Sequence, residues 1–472
     1  MIGQGFQSKT ILHSTLQINR LERRKKGMSK RGQIFLMGIL ILGLFTVASL
    51  AWADAKEIVA TIDEKSAPMR EVSRKIHGFA EQRYEEYKSS QLLMEELQKL
   101  GFKVTGDLKI SPDTTLNKSD PDAAVQGLFK ALTEGVMKTA FRAELTGKGP
   151  GPTVTIMLEY DALPNGHSCG HNLIATSGLL AAAGLVSVMA ETPGRILVLG
   201  TPAEESGPRG GKIFLLEGGH FEGSDVVFIT HPSDRWNAGG QMLSSRVALF
   251  TFKGKASHAA AAPHKGINAL NAVIHTFNGI DMLRGHLRQD VRIHGIITKG
   301  GEKRNIVTEL AQCDFSIRAL DVATLDDAYE KVVNCAKAGA LATGATLEFR
   351  PPRTDLKSPI PVPSFTKMVL DQSRALGVPA ADMKPSIDFG SGDPGNVGHA
   401  YPLVNFSFKI APEGTAGHSD ALREAALSNQ GWEATVTAAK AIALTAYDLL
   451  THPDKVKAIQ EEFKKQKTMQ GK

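Results

Sequence analysis

Cys169 and His171 stand one residue apart in the run Asp161-Ala-Leu-Pro-Asn-Gly-His-Ser-Cys169-Gly-His171-Asn172. An apolar stretch that reads as a buried strand precedes this run, and an Ala- and Leu-rich stretch that reads as a helix follows it. A thiol beside a helix N-terminus has a lowered pKa and favours the thiolate that a metal needs. Downstream, Glu204-Glu205 and His231 each follow another apolar strand-like run. Together these residues point to a metal site at the edge of a sheet. Taken singly each has a plainer reading: a turn histidine, a solvated acidic loop, a small core cysteine. All of those would have to hold at once to remove the site.

Glu204-Glu205 carries the chemistry. Adjacent residues leaving a strand face different ways, so one can bind metal while the other acts as a base. A carboxylate beside a metal-activated water can take its proton and pass it to a leaving nitrogen. That is amide hydrolysis without a nucleophilic side chain. Cys169 as a nucleophile is the competing reading, and no feature of the chain favours it over ligation beside His171.

Several elements must position these groups. Apolar periodicity predicts helix over residues 65–100, with Val72, Ile76 and Phe79 on one face and Gly101 as the stop. Strands are expected at 153–158, 195–200 and 225–230, with helices at 171–190 and 210–219 between them. This alternation of continuous apolar strands and helices indicates an α/β unit with a mixed sheet flanked by helices. Asp161, Glu204, Glu205 and His231 would each lie just past a strand end, where ligands gather in open α/β sheets. Residues 245–350 then read as strand, helix, strand, strand, helix, strand, a ferredoxin-like pattern. Five prolines between 349 and 365 mark a return linker, and 430–450 reads as a closing helix. The organisation expected is a catalytic unit of residues 54–243 and 353–472, split by an inserted domain of residues 244–352.

Residues 1–53 are set aside as a leader. Arg23-Arg24-Lys25-Lys26 and Lys30-Arg31 precede an uncharged stretch from Gly32 to Ala53, which ends in the small-x-small signal Ala51-Trp52-Ala53. Met28 is a second candidate start. The pattern predicts a secretory signal peptide and an exported, periplasmic or extracellular protein. An uncleaved membrane anchor is the alternative, since Ile34–Leu50 is about the minimum for a span. The leader also dominates the charge: it holds net +7 of a chain total of +6, leaving −1 for the rest. No basic tract in the body suggests nucleic acid. Three cysteines, Cys169, Cys313 and Cys335, make no disulfide framework, although Cys313 and Cys335 could pair in an oxidising compartment.

Over residues 65–450 the chain resembles the co-catalytic metallo-hydrolases of peptidase family M20. These include aminoacylase, carboxypeptidase, hippurate hydrolase and aminobenzoyl-glutamate hydrolase, and the nearest subgroup has a Cys-Gly-His ligand motif. The resemblance rests on Glu159-Tyr-Asp161-Ala-Leu-Pro164, Gly166-His-Ser-Cys169-Gly-His171-Asn172, Gly200-Thr-Pro-Ala-Glu204-Glu205, His231-Pro232, Gly254-Lys-Ala-Ser-His258-Ala, Asn305-Ile-Val and Gly417-His418-Ser. It implies that Cys169, His171, Glu205, His231 and His418 bind one or two divalent metals, zinc or manganese. It implies Glu204 as general acid and base, with Asp161 orienting a ligand. The inserted domain would form a homodimer contact and send His258 to the other subunit's site, to hydrogen-bond the oxyanion. Asn305 and Arg318 would help hold a substrate carboxylate. Asp393, in Ser391-Gly-Asp393, would lie in the cleft.

Two positions depart from the family pattern. Asn172 stands where many relatives have Asp, which would alter a second metal. Ala80-Glu81 replaces a frequent Pro-Glu. The expected activity is metal-dependent cleavage of the amide in N-acyl- or aminoacyl-amino acids, such as aminobenzoyl-glutamate-like conjugates or dipeptides. The alternative is a non-catalytic binding protein for such conjugates on the same scaffold, and Asn172 is its one support.

Overall fold

The computed structural model describes residues 30–112, 126–238, 242–349, 354–383 and 390–470. The chain divides into two compact units, Met1–Glu57 and Ile58–Lys472. Residues 1–29 of the expected leader lie outside the described residues. The expected cleavage point after Ala53 falls within a helix, Lys30–Phe79.

Within the second unit the strands are β1 (Lys103–Lys109), β2 (Val136–Thr146), β3 (Thr153–Leu158), β4 (Arg195–Gly200), β5 (Val226–Ser233), β6 (Asn237–Ala238), β7 (Ser244–Lys253), β8 (Arg292–Lys299), β9 (Leu310–Ala319), β10 (Thr346–Phe349) and β11 (Leu403–Lys409). Seven form a mixed sheet in the order β1-β2-β4-β3-β5-β11-β6. Its centre, β4-β3-β5-β11, is parallel. Four C-terminal strand ends therefore share one edge, the usual location of a site in an open α/β sheet.

The central parallel strands β3 and β4 are buried almost throughout, which explains their largely apolar runs. Alternate residues feed two cores. Val154, Ile156, Ile196, Val198 and Phe228 pack against helices His171–Met189, Pro363–Ala375 and Asn429–Thr451. Met157, Leu197, Leu199, Val227 and Ile229 pack with helices Gln126–Glu134, Gly211–Glu217 and Pro394–Ala400. Helix His171–Met189 is apolar all round because it is a core helix. Ile58, Ile62, Met69, Val72 and Ile76 form a helical stripe on the same core. At Gly184 an added Cβ would lie 2.7 Å from Ile62 Cγ1, so a small residue sets that close helix approach.

The second sheet spans β7 to β10 in the order β10-β7-β9-β8, antiparallel throughout. Helices Ala269–Leu283 and Val322–Thr343 cover one face, with Phe250, Phe252, Phe315 and Ile317 between the layers. This is the expected ferredoxin-like order. Strict in–out alternation along β9 shows that only one face is covered.

Three expectations are corrected. Residues 65–100 are not one helix. The chain breaks after Phe79, Ala80 and Tyr84 take positive φ of 45° and 65°, and a new helix starts at Tyr87. Its free N–H groups at Lys88 and Ser89 donate to the Glu81 carboxylate at 2.9 and 2.8 Å. Periodicity missed the break because apolar spacing continues across it. The helix at 430–450 does not close the chain, since Pro453–Gln470 forms another that buries Val456, Ile459 and Phe463. His231 lies inside β5 rather than past its end, because β11 extends the ladder and pairs Ser407 with it. Cys313 and Cys335 are both free thiols in the structure.

Candidate metal centre

Cys169 and His171 flank Gly170, which caps helix His171–Met189 in the left-handed region at φ 75°. A Cβ there would lie 2.7 Å from Pro232 Cγ, so only glycine lets this turn meet the end of β5. His171 is fully buried, and its Nδ1 donates to Asp161 Oδ1 at 2.9 Å. The other Asp161 oxygen accepts the backbone N–H of Glu205 at 3.0 Å. His231 Nδ1 donates to the carbonyl of Pro232 at 2.8 Å. Once either imidazole gives up its second proton, its lone pair therefore sits on Nε2. His231 Nε2 is 3.4 Å from Cys169 Sγ. His418, at φ 61°, donates its backbone N–H to Ser168 O at 3.1 Å and brings Nε2 to 3.3 Å from Glu205 Oε1.

Three donor groups result: Cys169, His171 and His231; Cys169, Glu205 and His418; and His171, Glu204 and Glu205. Within each, the ligand atoms lie within 4.8 Å of one another. His171 Nε2 is buried and lacks a hydrogen-bond partner, and the buried Glu205 Oε1 has His418 Nε2 near it, at 3.3 Å. A buried ring nitrogen is rarely left so, and a cation between it and the Glu205 carboxylate would satisfy it. A thiolate, three imidazoles and carboxylates suit zinc and similar divalent ions. The residues present thus fit a metal group.

The charges are mutually tuned. Burial raises the Cys169 thiol, but His231 and His171 outweigh it and bring it down to about 6. Burial lowers His231, but the Cys169 thiolate lifts it to about 9. Hydrogen bonds that His418 donates to Cys169 and Glu205 lift it to about 10. Burial would raise Glu205, yet His418 and His171 hold it below the usual carboxylate range.

Glu204 belongs to one of the three donor groups and also borders the Gly392 backbone. It opens a 3-10 turn, Glu204–Arg209, and its Oε1 lies where a Cβ on Gly392 would be, 2.4 Å away. Burial raises its pKa well above the ordinary value, and Glu159 and Asp393 add to that. Such a carboxyl is suited to accept and return a proton. Behind it lies a network that the sequence did not reveal. Lys212 is fully buried, with Nζ 2.8 Å from Glu159 Oε1 and 2.7 Å from Asp393 Oδ1. A lone lysine on a short helix looks like a surface residue, and only the tertiary pairing shows otherwise. Asp393, expected in the cleft, is buried against Lys212.

The groups surround a cavity of about 490 Å³, lined by Glu159, Cys169, Glu204, Glu205, His231 and His418 among others. His258, Asn305 and Arg318 do not line it. His258 is exposed near the second sheet, its Nδ1 accepting the backbone N–H of Ala261 at 3.0 Å. Asn305 is exposed, and Arg318 lies on β9. Asn172 also turns away from the cluster. Its Nδ2 donates to Ser73 Oγ at 3.0 Å and to Ala426 O at 3.4 Å. The expected effect of this residue on a second metal therefore has no contact behind it.

A family model described as a peptidase dimerisation domain matches residues 245–343. The chain is 38% identical to the Xaa-Arg dipeptidase of Mus musculus over 340 residues, covering 70% of this chain and 78% of the relative. It is 31% identical over 308 residues to one of the chains of the p-aminobenzoyl-glutamate hydrolase of Escherichia coli, covering 62% of this chain and 60% of that one. Among solved structures, a putative aminohydrolase from methicillin-resistant Staphylococcus aureus superposes with a TM-score of 0.67 at 18% identity, covering 84% of this chain and 99% of that one. A dinuclear metal-binding peptidase of the M20 family from Bacillus subtilis superposes with a TM-score of 0.61 at 18% identity, covering 82% and 99%. At that identity the structural likeness speaks for the fold, while the sequence relatives place the chain among enzymes: it belongs to the M20 family of peptidases and amidohydrolases.

Proposed function

We propose that the protein is an exported, metal-dependent amidohydrolase that cleaves the amide of N-acyl- or aminoacyl-amino acids, dipeptides included. The observation that carries this reading is the Cys169-centred donor set facing the same cavity as Glu204. Cys169, His171, Glu205, His231 and His418 would hold one or two divalent ions, zinc or manganese. A metal bound there supplies Lewis acidity and lowers the pKa of water. Glu204 takes the proton of the attacking water and returns it to the leaving nitrogen. Asp161 fixes the His171 tautomer that ligation needs. The names of the relatives support dipeptides and aminobenzoyl-glutamate-like conjugates as substrate classes.

A homodimer through the second sheet is part of the proposal. The strand β8 is an edge, Ile296 on it is 57% exposed, and Met282 on the adjoining helix is 73% exposed. Unpaired edges and apolar exposure mark an interface. His258 of each subunit would then serve the partner's oxyanion, with Asn305 and Arg318 near the substrate carboxylate. Export rests on the leader pattern alone.

The test is hydrolysis by the purified protein of a panel of N-acyl-amino acids, aminobenzoyl-glutamate and dipeptides. It is run after chelation and again with zinc or manganese restored. Metal-restorable turnover is expected, and Glu204→Gln should lower kcat by roughly 10²–10⁴-fold with metal content kept. Full activity of the metal-loaded variant would end this mechanism.

A further inference from the structure

Glu86 is fully buried, distant in sequence from the metal centre, and has no part in the mechanism above. Its Oε1 accepts the backbone N–H of Ala203 at 2.9 Å, and its Oε2 has no hydrogen-bond partner. Ala203 immediately precedes Glu204 and Glu205 and sits in the left-handed region at φ 60°. A residue with a Cβ is strained in that region and stays there only when its surroundings hold it. Two buried carboxylates do so: Glu86 holds the Ala203 amide, and Asp161 holds the Glu205 amide at 3.0 Å. The turn between them sets how the adjacent side chains leave the backbone: Glu204 Oε1 borders Gly392 and Glu205 Oε1 meets His418, while both carboxylates stay beside His171. The break after Phe79, which periodicity did not anticipate, has a purpose in this light: it ends at Glu86 and carries that side chain beneath the turn.

We propose that Glu86 is a positioning residue that fixes the left-handed Ala203 turn and so separates the directions of the base Glu204 and the ligand Glu205. This rests on the roles of Glu204 and Glu205 proposed above. It predicts a geometric requirement for a hydrogen-bond acceptor at residue 86, independent of charge. Gln can keep the acceptor. Asp withdraws it from the Ala203 amide, and Leu removes it. Glycine at 203 occupies positive φ without a Cβ penalty and should lessen the need for the acceptor.

The experiment compares Glu86→Gln, Glu86→Asp and Glu86→Leu, each with and without Ala203→Gly, in the full metal-loaded chain. The readouts are kcat, KM, melting temperature and zinc affinity by competition with a chelator. Glu86→Gln is expected within about threefold of the parent. Glu86→Leu should lower kcat about 10²-fold with little change in KM, the scale of a misplaced catalytic group. Its zinc affinity should fall as well, through Glu205. Leucine leaves the buried Ala203 N–H without its acceptor, so some loss of melting temperature is expected; the fall in kcat at unchanged KM, and its recovery with glycine at 203, separate positioning from bulk stability. Ala203→Gly should restore at least a tenfold share of both losses. Should Glu86→Leu not fold, Glu86→Asp with the same glycine rescue decides the matter. Equal losses in Glu86→Gln and Glu86→Leu, or failure of the glycine to rescue, would overturn the proposal. If the parent hydrolyses nothing on the panel, the proposed function falls, and the zinc affinities of the same variants still decide the role of Glu86.

Discussion

Asp161 and His171 are joined by a 2.9 Å hydrogen bond between two fully buried groups, carboxylate oxygen to Nδ1. The bond turns the Nε2 lone pair toward Cys169, Glu205 and the cavity. Burial works to raise the carboxyl, yet His171 and the Glu205 amide hold Asp161 below its ordinary pKa. Asp161→Asn would keep an acceptor for His171 or for Glu205, but its NH₂ would face the other donor. Metal affinity is therefore expected to fall roughly 10–100-fold. A chelator-competition titration measures it, and unchanged affinity would remove Asp161 from the ligand-orienting role.

Metal binding should release protons. Without metal, His231 and His418 titrate at about 9 and about 10, because each faces the Cys169 thiolate. At pH 7 both carry protons that a metal must displace, while Cys169, at about 6, is already largely ionised. Against the effect of burial, the Cys169 thiolate and Asp161 also raise His171 well above its ordinary value, so affinity should rise as pH climbs from 6 to 9, with about three protons released per fully liganded site at pH 7. Calorimetry in buffers of different ionisation enthalpy counts those protons. Affinity flat across that range would show that the cluster does not bind metal through these imidazoles.

Much of the architecture was legible because its signals are local. The strand runs at 153–158 and 195–200 are buried on both faces, and apart from Thr153, Thr155 and Arg195 they hold apolar residues and a glycine. The metal-ligand types cluster because parallel strands bring their ends to one edge. What the sequence hid depends on tertiary partners. Lys212 and Glu86 look like surface charges until the residues they meet, Asp393 and Ala203, are known to be 181 and 117 positions away. His231 was misplaced because strand length is set by β11, whose pairing no local pattern announces.

Asn172 follows directly on the Cys-Gly-His motif but serves the core. Its side chain donates to Ser73 and Ala426 and is fully buried. Asn172→Asp would set a carboxylate against the Ala426 carbonyl and remove both donors. The expected result is a loss of about 1–3 kcal/mol in stability with metal stoichiometry unchanged. Chemical denaturation and elemental analysis of the same sample read both quantities. A changed metal count in a folded variant would return this residue to the metal centre.

Lys212 is the strongest test of whether the acidic cluster behind Glu204 holds together by charge. It is the ammonium that Glu159 and Asp393 share, and it is closed off from solvent. Lys212→Met would fill the space and leave two buried carboxylates without a counter-charge, a loss of about 3–5 kcal/mol for such breakage. The loss should depend on pH. Burial raises Asp393 to about 7 even with Lys212 opposing it, so without the lysine its folded pKa rises further above the unfolded 3.8. A group raised in the folded state contributes its stability below the unfolded pKa and loses it as pH rises through the folded one. The variant should therefore be penalised less at pH 5, where Asp393 can protonate, than at pH 8. Urea unfolding of metal-free parent and variant at both values measures the difference. A penalty independent of pH would mean that Lys212 acts through packing alone.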